Sequence, residues 1–139
     1  MADVTRGALD TSVLIRYLTG DDPIRASRAR RLLARAAAGE VELLVPPVVL
    51  AEIAWVLESY FRLARAEVAE LLAAVMATPG LSVPDRPVLL AAIAAYREYG
   101  VDFTDAWIAE AARALGCPTV FTFERRHFAR LKGIYARVP

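Results

Sequence analysis

Asp10, Glu52, Asp105 and Glu124 are the residues of this chain best placed to do chemistry. Each falls at or near a junction where a strand-like run meets a helix-like run, and the four are far apart in sequence. If those junctions line one edge of a parallel sheet, the carboxylates make an oxygen-rich pocket suited to a hard divalent cation, Mg²⁺ or Mn²⁺. Like charges cannot converge without compensation, because one carboxyl would otherwise keep its proton. A divalent ion relieves that repulsion, lowers the pKa of bound water and stabilises charge on a phosphoryl oxygen. The chemistry indicated is metal-assisted phosphodiester cleavage.

Each acid also has a plainer explanation. Asp10 ends the run Gly7-Ala8-Leu9 and precedes Thr11-Ser12, so it could be a helix N-cap. Asp102 could cap the helix that follows it, and Asp105 in the first turn would favour the helix dipole. Glu124 follows Thr122-Phe123 and could be a solvated acid at a helix start. Glu52 sits in Val48-Val49-Leu50-Ala51-Glu52-Ile53-Ala54-Trp55, an apolar helix expected to be buried on most sides. A lone carboxylate there needs a cation or an arginine such as Arg16.

Basic residues supply the other half of a phosphodiesterase site. Arg28, Arg31 and Arg35 share a helical face by their spacing, and Arg125, Arg126, His127, Arg130 and Lys132 follow Glu124 directly. Either group could hold phosphates beside a cation or remain ordinary solvated surface. His127, the sole histidine, reads as a surface or phosphate-contact residue rather than a catalytic base. No serine or cysteine pattern forms a nucleophile elbow or triad.

The elements that must position these residues alternate between strand and helix. Strand candidates are Gly7–Asp10, Val41–Val45, Leu81–Val83, Thr119–Thr122 and Ile134–Val138. Helices are expected over Thr11–Leu18, Ile24–Ala38, Val48–Phe61, Ala66–Ala77, Arg86–Tyr99, Thr104–Leu115 and, briefly, Glu124–Leu131. Asp22-Pro23 and Pro46-Pro47 open helices, and Gly39, Gly100 and Gly116 close them. This alternation argues for an α/β domain with a parallel sheet covered on both faces, in which ligands bind beyond the carboxyl ends of the strands.

The bulk composition agrees. The 139 residues fit a single domain over positions 1–139, and the 57% apolar content argues against disorder. An apolar surplus in so short a chain also hints at a partner surface. No apolar run reaches the ~18–20 residues of a membrane span, and Met1–Gly7 lacks the layout of a secretory signal, so a cytoplasmic protein is expected. The net charge of +1 exerts no global pull on nucleic acid. Cys117, the only cysteine, is read as a buried small apolar residue.

Taken together, the motifs resemble a known family. Leu9-Asp10-Thr11-Ser12-Val13-Leu14-Ile15, Glu52 in a helix after proline, Asp102-Phe103-Thr104-Asp105-Ala106-Trp107-Ile108-Ala109 and Thr122-Phe123-Glu124 resemble PIN-domain ribonucleases, and among them the VapC-type toxins of toxin–antitoxin pairs. The resemblance covers essentially the whole chain, in the family's order and approximate spacing. It implies a three-layer α/β/α sandwich around a central parallel sheet of about four or five strands, and Mg²⁺- or Mn²⁺-dependent endonucleolytic cleavage of RNA by activated water.

Carried over by position, Asp10, Glu52 and Asp105 would hold the metal. Glu124 would take a fourth catalytic place where the family more often has aspartate. Asp102, Ser12 and Thr122 would support the ligands from outside. Partners implied are the RNA, a cognate VapB-like antitoxin whose tail crosses the pocket and a second copy in a homodimer, with no membrane.

Other classes are less well matched. A PIN fold that lost catalysis and serves as an RNA- or protein-binding module is permitted by the glutamate at position 124. A receiver domain needs paired acids near the first strand, and Asp10 has no adjacent acid. A haloacid-dehalogenase-type phosphatase wants aspartate two residues after the first, where Ser12 stands.

Overall fold

The computed structural model describes residues 5–139, so the first four residues of the Met1–Gly7 segment lie outside it. Proline and glycine punctuate the chain much as expected. Pro23 and Pro47 open their helices at the first position, where the missing N–H costs nothing. The Asp22 carboxylate accepts from the Arg25 N–H and caps the second helix.

The elements run β1 (Arg6–Ala8), α1 (Thr11–Thr19), α2 (Pro23–Ala37), β2 (Glu42–Leu44), α3 (Pro47–Ser59), α4 (Arg65–Met76), β3 (Leu81–Ser82), α5 (Arg86–Tyr99), α6 (Phe103–Ala114), β4 (Thr119–Phe121) and β5 (Tyr135–Arg137).

All strand pairs are parallel, with β2 between β1 and β3, and β4 beside β5. The α/β class therefore holds, but the expected single sheet of four or five strands does not: the described strands divide into three and two. The strands are only two or three residues long, so each has few ladder groups to share. Those of β4 and its flanks go to β5, as in Thr122 N–H to Arg137 C=O and Tyr135 N–H to Pro118 C=O.

The segment after Glu124 also departs from expectation. Only Arg125–His127 is helical, as one 3₁₀ turn followed by irregular turns, and the apolar Phe128 and Leu131 reach the core without forming a helical stripe.

Helices α3, α4, α5 and α6 pack in a ring, each on the next and α6 back on α3, while α1 packs on α3 and carries α2. Helix α3 buries Val49, Leu50, Ile53, Ala54 and Leu57, a stripe at helical spacing. Each such fully buried Leu or Ile contributes roughly 1.5–3 kcal/mol relative to an exposed one. The opposite side carries Val48, Glu52, Trp55 and Ser59 in solvent. Glu52 is thus exposed, which corrects the expectation of a helix buried on most sides.

Cys117 is likewise exposed and not a core residue. Gly116, at φ 72°, takes the left-handed conformation that ends α6.

Candidate active-site cleft

Asp102 and Asp105 enter the fold at the start of α6. Asp102 occupies the N-cap position with extended backbone, yet its side chain makes no capping hydrogen bond. Asp105 lies in the first turn. Because α6 packs on α3, a cleft of ≈ 260 Å³ opens between them, lined by Ala51, Trp55, Glu58, Asp102, Asp105 and His127. An adjoining cavity of ≈ 200 Å³ shares Asp102, Asp105 and His127 and adds Arg126 and Arg130.

The half-buried Asp105 is the electrostatic centre of this cleft. Burial pushes its carboxyl above the ordinary aspartate range, His127 pulls it down and the Asp102 charge pushes it up again. His127 Nδ1 stands 3.3 Å from Asp105 Oδ2, so the histidine faces the acid rather than solvent alone. Three of the basic residues expected to hold phosphate, Arg126, His127 and Arg130, therefore share a cavity with two acids. Arg125 lines a different cavity, beside Tyr135.

The other acids lie outside the linings of these two cavities. Asp10 is at the N-cap position of α1 but makes no capping bond; instead Ser12 Oγ donates to its Oδ2 at 3.0 Å. Thr11 Oγ1 is buried with no hydrogen-bond partner among the described residues. Glu52 and Glu124 are exposed, and the Glu124 N–H donates to Thr122 Oγ1 at 2.8 Å. Arg16, considered as a partner for Glu52, pairs with Asp21 at 2.6 Å. Asp10, Glu52 and Glu124 do not line the α3–α6 cleft.

Arg16 also lines a groove of ≈ 540 Å³ between α1 and α2, together with Ser12, Arg25 and Arg28. Arg35, placed with Arg28 on the expected phosphate face, pairs with Glu40.

Three positioning residues escaped the sequence reading. Tyr96, wholly buried, donates its hydroxyl to Glu58 Oε1 across the cleft wall. Burial, and then the hydrogen bond to Glu58, push the Tyr96 hydroxyl far above the usual tyrosine range. Arg65 lies over the Tyr96 ring at 4.4 Å and donates to the carbonyls of Tyr96 (3.0 Å) and Val101 (2.6 Å). These bonds fix α5 and the loop before α6. The partners are 31 to 38 residues apart, so no local pattern announces them.

The donor chemistry fits a hard divalent cation, since carboxylate and hydroxyl oxygens are what such ions prefer. The placement is looser: among the described residues no three Asp, Glu, His or Cys side chains are gathered to hold one ion.

No helix among the described residues is long and apolar enough to cross a membrane. No curated protein matches the chain in sequence. PIN domains are generally nucleases and generally use divalent metal ions. The PIN domain model matches residues 8–134, which run from the last residue of β1 through the α3–α6 cleft and the turn after β4; the chain belongs to the PIN domain family.

Proposed function

We propose that this protein is a metal-dependent endoribonuclease of a single PIN-like domain, acting as a VapC-type toxin in a type II toxin–antitoxin pair. The observation that carries this reading is Asp105: a half-buried acid in a cleft that also holds Asp102, His127, Arg126 and Arg130. An acid raised by burial calls for a positive partner, and arginines beside it suit a phosphodiester.

Asp10, Glu52 and Asp105 would hold Mg²⁺ or Mn²⁺, with Glu124 as a fourth acid. The ion would supply activated water and charge neutralisation at the phosphoryl group. Ser12 orients Asp10 through its hydroxyl, Asp102 adds negative potential beside Asp105, and Thr122 fixes the backbone at Glu124. Arg125, Arg126, His127 and Arg130 would bind phosphates of the RNA.

The exposed apolar residues of α3, among them Val48 and Trp55, suit a homodimer contact or a VapB-like antitoxin. A cytoplasmic location accords with this role. The second reading, a PIN-fold module that binds RNA or protein without cleaving, is favoured by the absence of a gathered set of three ligands among the described residues.

Incubating a broad RNA panel with Mg²⁺, with Mn²⁺ and with chelator tests the proposal. Cleavage that needs the ion and disappears in Asp105→Asn supports it. An intact panel under every condition overturns it in favour of the binding module.

A further inference from the structure

The β4–β5 pair presents large aromatic side chains to solvent where a sheet face would ordinarily be covered. Phe121 is 67% exposed, Phe123 81% and Tyr135 64%. The parallel register sets Phe121 opposite Arg137 and Thr119 opposite Tyr135. Alternation along the strands buries Val120 and leaves Phe121, Tyr135 and Arg137 outward. Tyr135 also borders a cavity of ≈ 440 Å³ whose rim carries Arg125 and Arg126 and whose floor is Phe128 and Ile134. Among the described residues no acid lines that cavity. Arg126 also borders the cavity that holds Asp102 and Asp105, so the cavity beside Tyr135 adjoins the cleft at that arginine.

Aromatic side chains interleaved with guanidinium groups suit one ligand chemistry in particular. Unpaired bases stack on the rings, and the phosphates between them meet the arginines. A duplex would keep its bases stacked on each other and offer only phosphates. A second copy of this chain fits less well, since a two-fold contact would bring both sets of Arg125, Arg126 and Arg137 into one interface, with no described acid of this cavity to offset them. We propose that Tyr135 and Phe121, with Phe123 beside them, form a stacking platform for a single-stranded segment of RNA. In this arrangement Arg125, Arg126 and Arg137 take its phosphates. The proposal rests on the RNA-directed reading above and adds a binding surface on β4 and β5, outside the cleft, that holds the RNA by its bases.

Binding can be measured without turnover by fluorescence anisotropy in chelator. The probes are an unstructured, pyrimidine-rich oligoribonucleotide and the same strand annealed to its complement. The single strand should bind more tightly. Tyr135→Ala and Phe121→Ala should each weaken it roughly tenfold while leaving the duplex nearly unchanged. Tyr135→Trp should restore binding, and Arg126→Gln should lower the salt slope by about one.

All these side chains are exposed, and circular dichroism checks that each variant folds. Wild-type affinity in the Tyr135→Ala/Phe121→Ala double variant overturns the platform, as does equal weakening of single strand and duplex. So does a shift from dimer to monomer in sedimentation with RNA affinity untouched. Ring-dependent binding with no cleavage of any RNA would sink the nuclease reading and keep the platform; cleavage whose KM ignores the rings would do the reverse.

Discussion

The Nδ1 atom of His127 lies 3.3 Å from Oδ2 of Asp105, tying the turn after β4 to the first turn of α6. The histidine thus shares the acid's cavity with Arg126 and Arg130. Where α6 places the half-buried Asp105 carboxylate, this neighbourhood supplies the compensating positive potential.

Replacing that carboxylate removes charge at nearly constant shape. Asp105→Asn and Asp10→Asn are each expected to lower RNA cleavage on the order of 10²-fold or more, the scale of losing one aimed electrostatic group. Far-ultraviolet circular dichroism should stay unchanged. Wild-type rates in either variant would remove that residue from the reaction. Glu124→Gln should do less, because it stands where the family more often has the shorter aspartate.

The bond from Tyr96 to Glu58 predicts a pH dependence of stability. The Tyr96 pKa is raised in the folded state, while the unfolded chain titrates near the ordinary ~10. Above that pH the unfolded chain loses a proton that the folded one keeps, so this contribution is full below ~10 and declines as pH rises further. Tyr96→Phe should flatten the decline and, at neutral pH, cost about 1–3 kcal/mol by leaving Glu58 without its donor. Urea unfolding of both proteins at neutral and alkaline pH measures each effect. Identical alkaline slopes would exclude Tyr96 as the source.

Two glycines with positive φ should respond differently to a methyl group. A Cβ on Gly80 would lie 2.4 Å from the carbonyl carbon and oxygen of Ala36, whereas one on Gly116 meets nothing within 4 Å. Gly116→Ala is therefore expected to cost only the left-handed backbone penalty, roughly 1–2 kcal/mol. Gly80→Ala adds a clash with main chain and should cost several kcal/mol or prevent folding. Comparable melting temperatures for the two would refute the close approach of α2 to β3.

Helix α3 offers a contrast between its two sides. Leu57 is fully buried, so Leu57→Ala should cost about 2–5 kcal/mol in denaturant unfolding. Trp55 is 68% exposed, so Trp55→Ala should change stability by no more than about 0.5 kcal/mol. A large loss at Trp55 would mean that its ring is covered in solution, and sedimentation would then show whether by a second copy.

Much of the architecture was legible because prolines and glycines mark element ends whatever the tertiary context. Arg86–Tyr99 emerges with the bounds read from the chain, between Asp85 and Gly100. What failed depended on direction. An apolar run told that α3 is held in the core but not which side faces it, and Glu52 lies on the outer side. The apolar residues after Glu124 looked helical, yet Phe128 and Leu131 reach the core without a helix.

The candidate site was legible in type more than in arrangement. Local motifs singled out Asp102, Asp105 and the arginines after Glu124, and the fold brings several of these into one cavity. Glu58, Arg65 and Tyr96 carry no motif, because their links run between α3, α4 and α5 and exist only once the ring of helices closes.

Cys117 stands in solvent beyond the end of α6 and is the one thiol in the chain. A maleimide dye or nitroxide can therefore be coupled at a single chosen spot with no background substitution. The same accessibility means that disulfide-linked pairs will accumulate in aerated buffer, so any self-association must be measured under reductant.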